Sequence, residues 1–433
     1  MQTKLELPAH KAVIIAFLVF VVLTGFTVPI MYHQHKLQNQ IRSQTELYAQ
    51  QLQEQKTQQA IKDTQIEDAA SAMEYEAKRN SGMSPYYPDD EQIKSDLQKY
   101  QASQAAEKRL VPYDGPIEHL FFHPLLAYPS LTFDGDADSN GFNQYFVTVS
   151  EFKKILEQIY ANNYILININ DLYDEKVEGR KTILVHKELK LPPNKKPLIL
   201  SVDDVNYPAY KSTNGTISKL ILDTNGNVAT YSVSPSGEKV ISDDNEVIPI
   251  MDDFVTEHPN FSFQGAKGIL ALTGYYGILG YNTHDLDSPS YPKERQSAVA
   301  IIKRLKDTGW TFASHGYSHL DARAVSNQSL EKDTLRWKKE VGSLIGPTNI
   351  YVYPFGSSVL PGNPKFQYLI NQGFNILCSV GPTPYLKDST DYVMMDRRHI
   401  DGIALNNQEA ILKNLFDAKS VLDPVRPPLK SGS

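Results

Sequence analysis

From Val111 onward the chain alternates between two hydrophobic rhythms. Short unbroken apolar runs such as "KPLILSV" suit strands covered on both faces. Between them, apolar residues return every three or four positions, the period of a helix that buries one face. The series opens with a strand in "IEHLFFHPLL" and a helix in "TVSEFKKILEQIYANNY". Ser150 is the expected N-cap of that helix, with Phe152, Ile155, Leu156 and Ile159 on its buried face. "ILININDLY" and "KPLILSV" follow as strands, then a helix in "IPIMDDFVTEHP" and a strand in "KGILALTG". A helix in "ERQSAVAIIKRLKDTG", a strand in "TFASHG" and a helix in "LEKDTLRWKKEVGSLIG" come next. The strand "IYVYPFG", the helix "PKFQYLINQG" and the strand "FNILCSV" complete it. Such alternation predicts an α/β fold built on a parallel sheet or a (β/α) barrel.

One segment breaks the rhythm. Residues 206–247 carry turn signals at Asn225-Gly226 and Ser236-Gly237 between β-rich runs, which predicts a β-hairpin insertion directly after Asp204. Insertions at a strand's C-terminal end decorate the face where α/β folds place their sites.

The N-terminal part has a different character. Residues 12–32 read "AVIIAFLVFVVLTGFTVPIMY", without a charge and long enough to cross a bilayer as a helix. No small-residue cleavage pattern follows, so residues 1–32 are expected to be an uncleaved anchor in the cytoplasmic membrane. Lys4 and Lys11 before the span nearly balance Lys36 and Arg42 after it, and charge does not fix its orientation. Residues 33–110, rich in Gln, Glu, Lys and Ala, suit a solvated helical stalk that could pair two chains, or a flexible spacer. Residues 111–425 form the expected globular domain, and residues 426–433 a disordered tail.

Composition narrows the function. The formal net charge of −7 argues against an electrostatic nucleic-acid binder. A single cysteine, Cys378 in an apolar run, has no disulfide partner and reads as a core residue. The loop "DGDADSNGFNQ" spaces Asp134, Asp136 and Asp138 like a calcium loop. However, it has Ser139 where the sharp turn wants Gly and Tyr145 in place of the closing Glu, so it reads as a polar surface loop.

Three short motifs stand at predicted C-terminal ends of separate strands, which converge on one face of a barrel. "SVDD" ends on Asp203 and Asp204, neighbours that face opposite ways on an extended chain. In "ASHGYSHLD", His315 and His319 are four apart, a spacing that puts two imidazoles on one face of a helical turn. "YVYPFG" ends in a Pro-Phe-Gly turn whose N–H groups could point at a reacting centre. One carboxylate plus two histidines is a ligand set for a catalytic zinc.

In this order, S-V-D-D, H-G-Y-S-H and Y-P-F-G resemble the polysaccharide deacetylases of carbohydrate esterase family 4, the NodB-homology domain, over roughly residues 115 to 405. "LFFHPLL" is similar to the opening strand of the poly-N-acetylglucosamine deacetylase branch. The resemblance implies a distorted (β/α) barrel with Asp203 as general base and Asp204, His315 and His319 holding a divalent metal, most often zinc. Tyr353, Pro354 and Phe355 would face the substrate. The implied reaction removes acetyl groups from an N-acetylglucosamine-containing polymer outside the cell or in its wall, peptidoglycan among them.

This chain departs from the family pattern in several places. Val352 stands where the family has an arginine that steadies the base, leaving Arg397 and Arg398 as candidates to replace it. Gly316 replaces a usual Ser or Thr, and Val205 replaces a usual Gly. No Leu-x-His motif supplies the general acid, and His399 is the nearest substitute. The missing arginine and general acid keep open a wall-glycan-binding protein that has lost catalysis; an O-acetyl esterase is a second alternative, because such a metal site makes little distinction between ester and amide.

Overall fold

A computed structural model describes residues 109–178 and 181–429. The expected membrane span and nearly all of the stalk lie outside these residues, and among the described residues no helix is long and apolar enough to cross a membrane. The sheet strands, numbered in chain order, are β1 Glu118–Phe122, β2 Tyr164–Leu166, β3 Lys196–Asp203 and β4 Ile269–Leu272. They continue with β5 Thr311–Ser314, β6 Ile350–Val352, β7 Ile376–Val380 and β8 Val393–His399. Parallel pairing runs β4–β5–β6–β7–β8–β1–β3, and β3 returns to β4 to close the barrel.

β3 closes the ring because its two halves pair differently. Lys196 to Leu198 align with β2, whereas Ser201 to Asp203 align with Ile269 to Ala271 of β4. Its residues also divide between two cores. Leu198, Leu200 and Val202 pack outward under the helices, while Ile199 points into the barrel with Ile269, Ala313, Val352, Cys378 and Met395. Covering on both faces explains the unbroken apolar runs.

Five helices wrap the ring: α1 Val149–Ala161, α2 Val247–Glu257, α3 Tyr291–Asp307, α4 Asn327–Trp337 and α5 Pro364–Asn371. The predicted face of α1 is buried as expected, but Thr148 rather than Ser150 is its N-cap. Thr148 wins because Glu151, three residues on, returns a hydrogen bond to its backbone N–H and completes a capping box. "ILININDLY" splits at the turn Ile169–Leu172 into β2 and the start of an antiparallel ribbon, Tyr173–Glu178 with Lys181–His186.

The predicted hairpin insertion is a three-stranded antiparallel meander of Lys219–Leu222, Val228–Val233 and Lys239–Ser242. Both predicted turns exist, with Gly226 at φ 80° and Gly237 at φ 85°, conformations that favour glycine.

The domain also reaches past residue 425. Arg426 donates to Glu151 through Nε at 2.7 Å and Nη2 at 2.5 Å, with both side chains buried. Arg426→Met should therefore leave Glu151 buried without its partner and cost about 3–5 kcal/mol of stability, read from urea midpoints.

Candidate active site

The first acid sits inside the barrel mouth. Asp203 is the last residue of β3, on the same face as Ile199 and Ser201, and is 2% exposed. Arg397 of β8 reaches across β1 to hold it with a two-pronged fork, Nη1 to Oδ1 at 2.7 Å and Nη2 to Oδ2 at 2.9 Å. The same guanidinium lies over the Phe121 ring, 4.1 Å from its centroid, and donates to Ser201 Oγ at 3.1 Å. His119 Nε2 meets that hydroxyl at 3.0 Å. Burial resists ionisation of Asp203, but the charge of Arg397 overrides it and holds the carboxyl well below the usual carboxylate range. Arg397, not Arg398, thus stands in for the arginine missing at Val352. Arg398 points the other way and pairs with Glu118.

The second acid does not face away as strand alternation predicts. Asp204 has φ 57°, so the strand breaks there and its carboxylate turns back toward the histidines. Burial would raise its pKa, yet Lys211, whose Nζ is 3.9 Å from Oδ2, and the nearby His319 and His315 draw it down to about 2. Thr273 Oγ1 approaches Oδ1 at 3.4 Å.

The histidines also meet without a helix. His315 follows β5, and His319 sits in a turn at φ 55°. Asp333 of α4, nearly buried, grips that turn by accepting the N–H groups of Tyr317 at 2.7 Å and Ser318 at 2.8 Å. Gly316 adopts φ 65°, and a β-carbon there would come within 3.0 Å of Asp333 Oδ2, which accounts for glycine in place of Ser or Thr. His315 donates from Nδ1 to the carbonyl of Val352 at 2.9 Å, leaving the Nε2 lone pair to the site, 3.7 Å from Asp203 Oδ2. Burial first, then His315, lowers the His319 pKa to about 4, so its imidazole is neutral near pH 7.

One ligand atom each from Asp204, His315 and His319 lies within 4.8 Å of the others. One carboxylate oxygen and two imidazole nitrogens fit a borderline divalent metal such as zinc. The residues of the Pro-Phe-Gly turn separate. Tyr353 and Pro354 are buried, and the Tyr353 backbone donates its N–H to the Cys378 carbonyl and accepts the Gly356 N–H. Phe355 is 70% exposed at φ 57°, 4.4 Å from the His319 ring, and no acceptor among the described residues takes its N–H.

His399 stands behind another histidine. Its Nδ1 is 2.9 Å from Asp401 Oδ2 and its Nε2 is 3.0 Å from Nδ1 of His123. An ionised carboxylate only accepts, so His399 donates from Nδ1, accepts at Nε2 from His123, and leaves the second nitrogen of His123 without a proton. His123 directly follows β1 and feels the charges of both Asp203 and Asp204. Burial first, then His399, takes its pKa down to about 3. His123, inside "LFFHPLL", is a site residue that no sequence motif marks; its position just past a strand end is the one signal for it. Elsewhere, Asp134 and Asp136 spend their carboxylates on their own loop, and Cys378 is a buried thiol raised to about 12 by burial.

A depressed histidine pKa has a definite pH signature. Below about 6.5 the unfolded chain takes up a proton that folded His123 refuses, so stability falls from about pH 6.5 down toward 3, by at most ~1.4 kcal/mol per pH unit for each such group. His119, fully buried and also lowered, adds to the same limb. His123→Asn should flatten but not abolish this slope, read from urea midpoints of chelator-treated protein between pH 7 and pH 4.

Residues 284–368 match the family described as polysaccharide deacetylase, a segment holding both histidines and the Pro-Phe-Gly turn but neither acid nor Arg397. Among solved structures, the chain is similar to a Streptococcus pyogenes deacetylase in complex with acetate, at 12% identity over 71% of this chain and 100% of that one, with a TM-score of 0.39. A polysaccharide deacetylase from Bacillus cereus is similar at 12% identity over 71% of each chain, with a TM-score of 0.38. No curated protein matches the chain. The matched segment runs through the histidine turn of a closed parallel barrel, and over that segment the chain is similar to the polysaccharide deacetylases.

Proposed function

We propose that the chain hydrolyses acetamide groups on an N-acetylglucosamine-containing polysaccharide of the cell surface or wall, releasing acetate. The observation that carries this reading is a carboxylate locked ionised by Arg397 beside a separate Asp-His-His donor set. A divalent metal, zinc by its donor chemistry, would be held by Asp204, His315 and His319, and would polarise the acyl oxygen and bring a water's pKa toward ~7. Asp203, ionised at rest at any working pH, accepts the proton of the attacking water. The N–H of Phe355 is a donor for the developing oxyanion. His123, whose second nitrogen is unprotonated at rest and which is backed by His399 and Asp401, receives the proton that Asp203 takes from the water and passes it to the departing amine. His399 thereby moves from general acid to the residue that orients it. The uncharged run of residues 12–32 supports a single membrane span, and the substrate reading, not the charge pattern, is what favours this domain on the outer side, where such polymers lie.

The reading in which the barrel has lost catalysis rests on the arginine missing at position 352 and on the missing general-acid motif. Arg397 answers the first by holding Asp203, and His123 is the candidate that answers the second. An esterase reading remains a matter of leaving group, which His123 can decide.

Acetate release from chitin oligosaccharides and purified peptidoglycan is the direct test. Asp203→Asn should lower it by about 10²–10⁴-fold with metal content unchanged. Undiminished release would sink the assignment.

Protonating the leaving group matters for an amine and not for an activated phenolate. His123→Ala should therefore lose about 10²-fold on N-acetylglucosamine oligomers and little on 4-nitrophenyl acetate, with His399→Ala milder on both. Equal losses on the two substrates would remove His123 from the acid role.

A further inference from the structure

Each acid of the pair has its own buried cation. Asp203 has Arg397, and Asp204 has Lys211, which is 4% exposed with its Nζ 3.9 Å from Oδ2. Lys211 comes from the short helix Ala209–Thr213, which the chain enters through Tyr207 at φ 53° and Pro208. Its Nζ also donates to the Asp204 carbonyl at 3.4 Å and to Asn206 Oδ1 at 3.3 Å. All of these partners are acceptors, which suits the several protons of an ammonium. Glu246, the other carboxylate whose charge reaches Lys211, commits its oxygens to the N–H groups of Leu125 and Val247. Among the described residues, Asp204 is the acid that Lys211 pairs with.

The two pairs have different consequences. Arg397 grips Asp203, which is not among the residues whose ligand atoms gather within 4.8 Å of one another, whereas Asp204 is. The Asp204 carboxylate is therefore claimed twice, by Lys211 and by any cation seated with His315 and His319. The usual partner of a metal ligand raises its basicity, as the Val352 carbonyl does by accepting from His315 Nδ1. A lysine does the opposite, because it draws on the negative charge that a metal would use. Burying an ammonium is also costly, and a neutral donor could serve the Asp204 carbonyl and Asn206 as well. What the ammonium alone supplies is charge.

We infer that Lys211 sets the metal affinity of the site by opposing it, so that the Asp-His-His set holds a divalent ion less tightly than its donors alone would. Part of the Asp204 charge is engaged by Lys211, which leaves more of a bound cation's charge to act on the acyl oxygen. Lys211 acts through Asp204 and not on the substrate. The consequence for the acyl group rests on the deacetylase reading; the consequence for affinity does not.

The test measures zinc affinity of the full chain by competition with a chromophoric chelator, with acetate release from N-acetylglucosamine oligomers at saturating zinc in parallel. Lys211→Gln removes the charge and keeps a donor, while Lys211→Met removes both. Both should bind zinc about tenfold more tightly and release acetate about tenfold more slowly. Lys211→Arg keeps the charge and should keep the parent's affinity. A lysine that merely holds Asp204 in place predicts the opposite sign, with zinc weakened in Lys211→Met and less so in Lys211→Gln. Weaker or unchanged zinc binding in Lys211→Gln, shown to be folded by its thermal unfolding, would overturn the inference. So would tighter zinc with acetate release undiminished. If Lys211→Met does not fold, Lys211→Gln decides alone. Tighter zinc in the neutral variants of a chain that releases no acetate even before substitution would uphold the role of Lys211 and overturn the deacetylase reading.

Discussion

Everything at the barrel mouth depends on the Arg397–Asp203 pair. Two opposite charges buried in an apolar ring are costly to desolvate, and only a two-pronged geometry with further partners offsets that cost. Ser201, His119, the Ser379 carbonyl and the Phe121 face supply those partners. The pair spans three strands, because β1 runs between β3 and β8. It therefore fixes the acid and the barrel's closure with one set of contacts. Replacing an arginine at the third motif by Val352 also frees that position for the barrel's apolar interior, while its carbonyl still orients His315.

Backbone strain gathers at the same place. Asp204, His319 and Phe355 all hold positive φ angles that non-glycine residues seldom adopt, at a cost on the order of 1 kcal/mol or more each. Each is the residue whose direction an ordinary strand or helix would set wrongly. At Asp204 the left-handed turn brings a second carboxylate toward the histidines; at His319 it replaces the helical turn that the spacing suggested. Asp333, gripping the loop from α4, holds the turn that carries the second of these angles.

Much of the barrel was legible because its strands and helices differ in hydrophobic period, and residues such as Leu198 and Phe152 show which period rules. The acid and histidine motifs were legible because they stand next to those runs. What the sequence concealed was long-range or conformational. Arg397 and Arg398 are adjacent and alike, and only the inward face of β8, shared with Met395, separates them. His123 and His399 are far apart in the chain and meet because β1 and β8 are neighbours. Ser150 was the expected cap, and the reach of Glu151 back to Thr148 is what moved the helix start. The insertion showed its turns, but the number of its strands depended on packing beside α2 and α3.

Val205, where the family has glycine, shows how the surroundings of the acids were rebuilt. Its side chain is buried in the outer core, and its carbonyl accepts Leu279, tying the loop after β4 to the chain leaving β3. The same departure delivers Lys211, buried against the Asp204 backbone and Asn206 at 3.3 Å. Burial lowers the Lys211 pKa, and Asp204 and Glu246 pull it back up, so its charge is sustained by the acid it steadies. A glycine would permit the turn without anchoring anything. A valine commits the chain to one path, and along that path lie the cation beside Asp204 and the exposed ring of Tyr210.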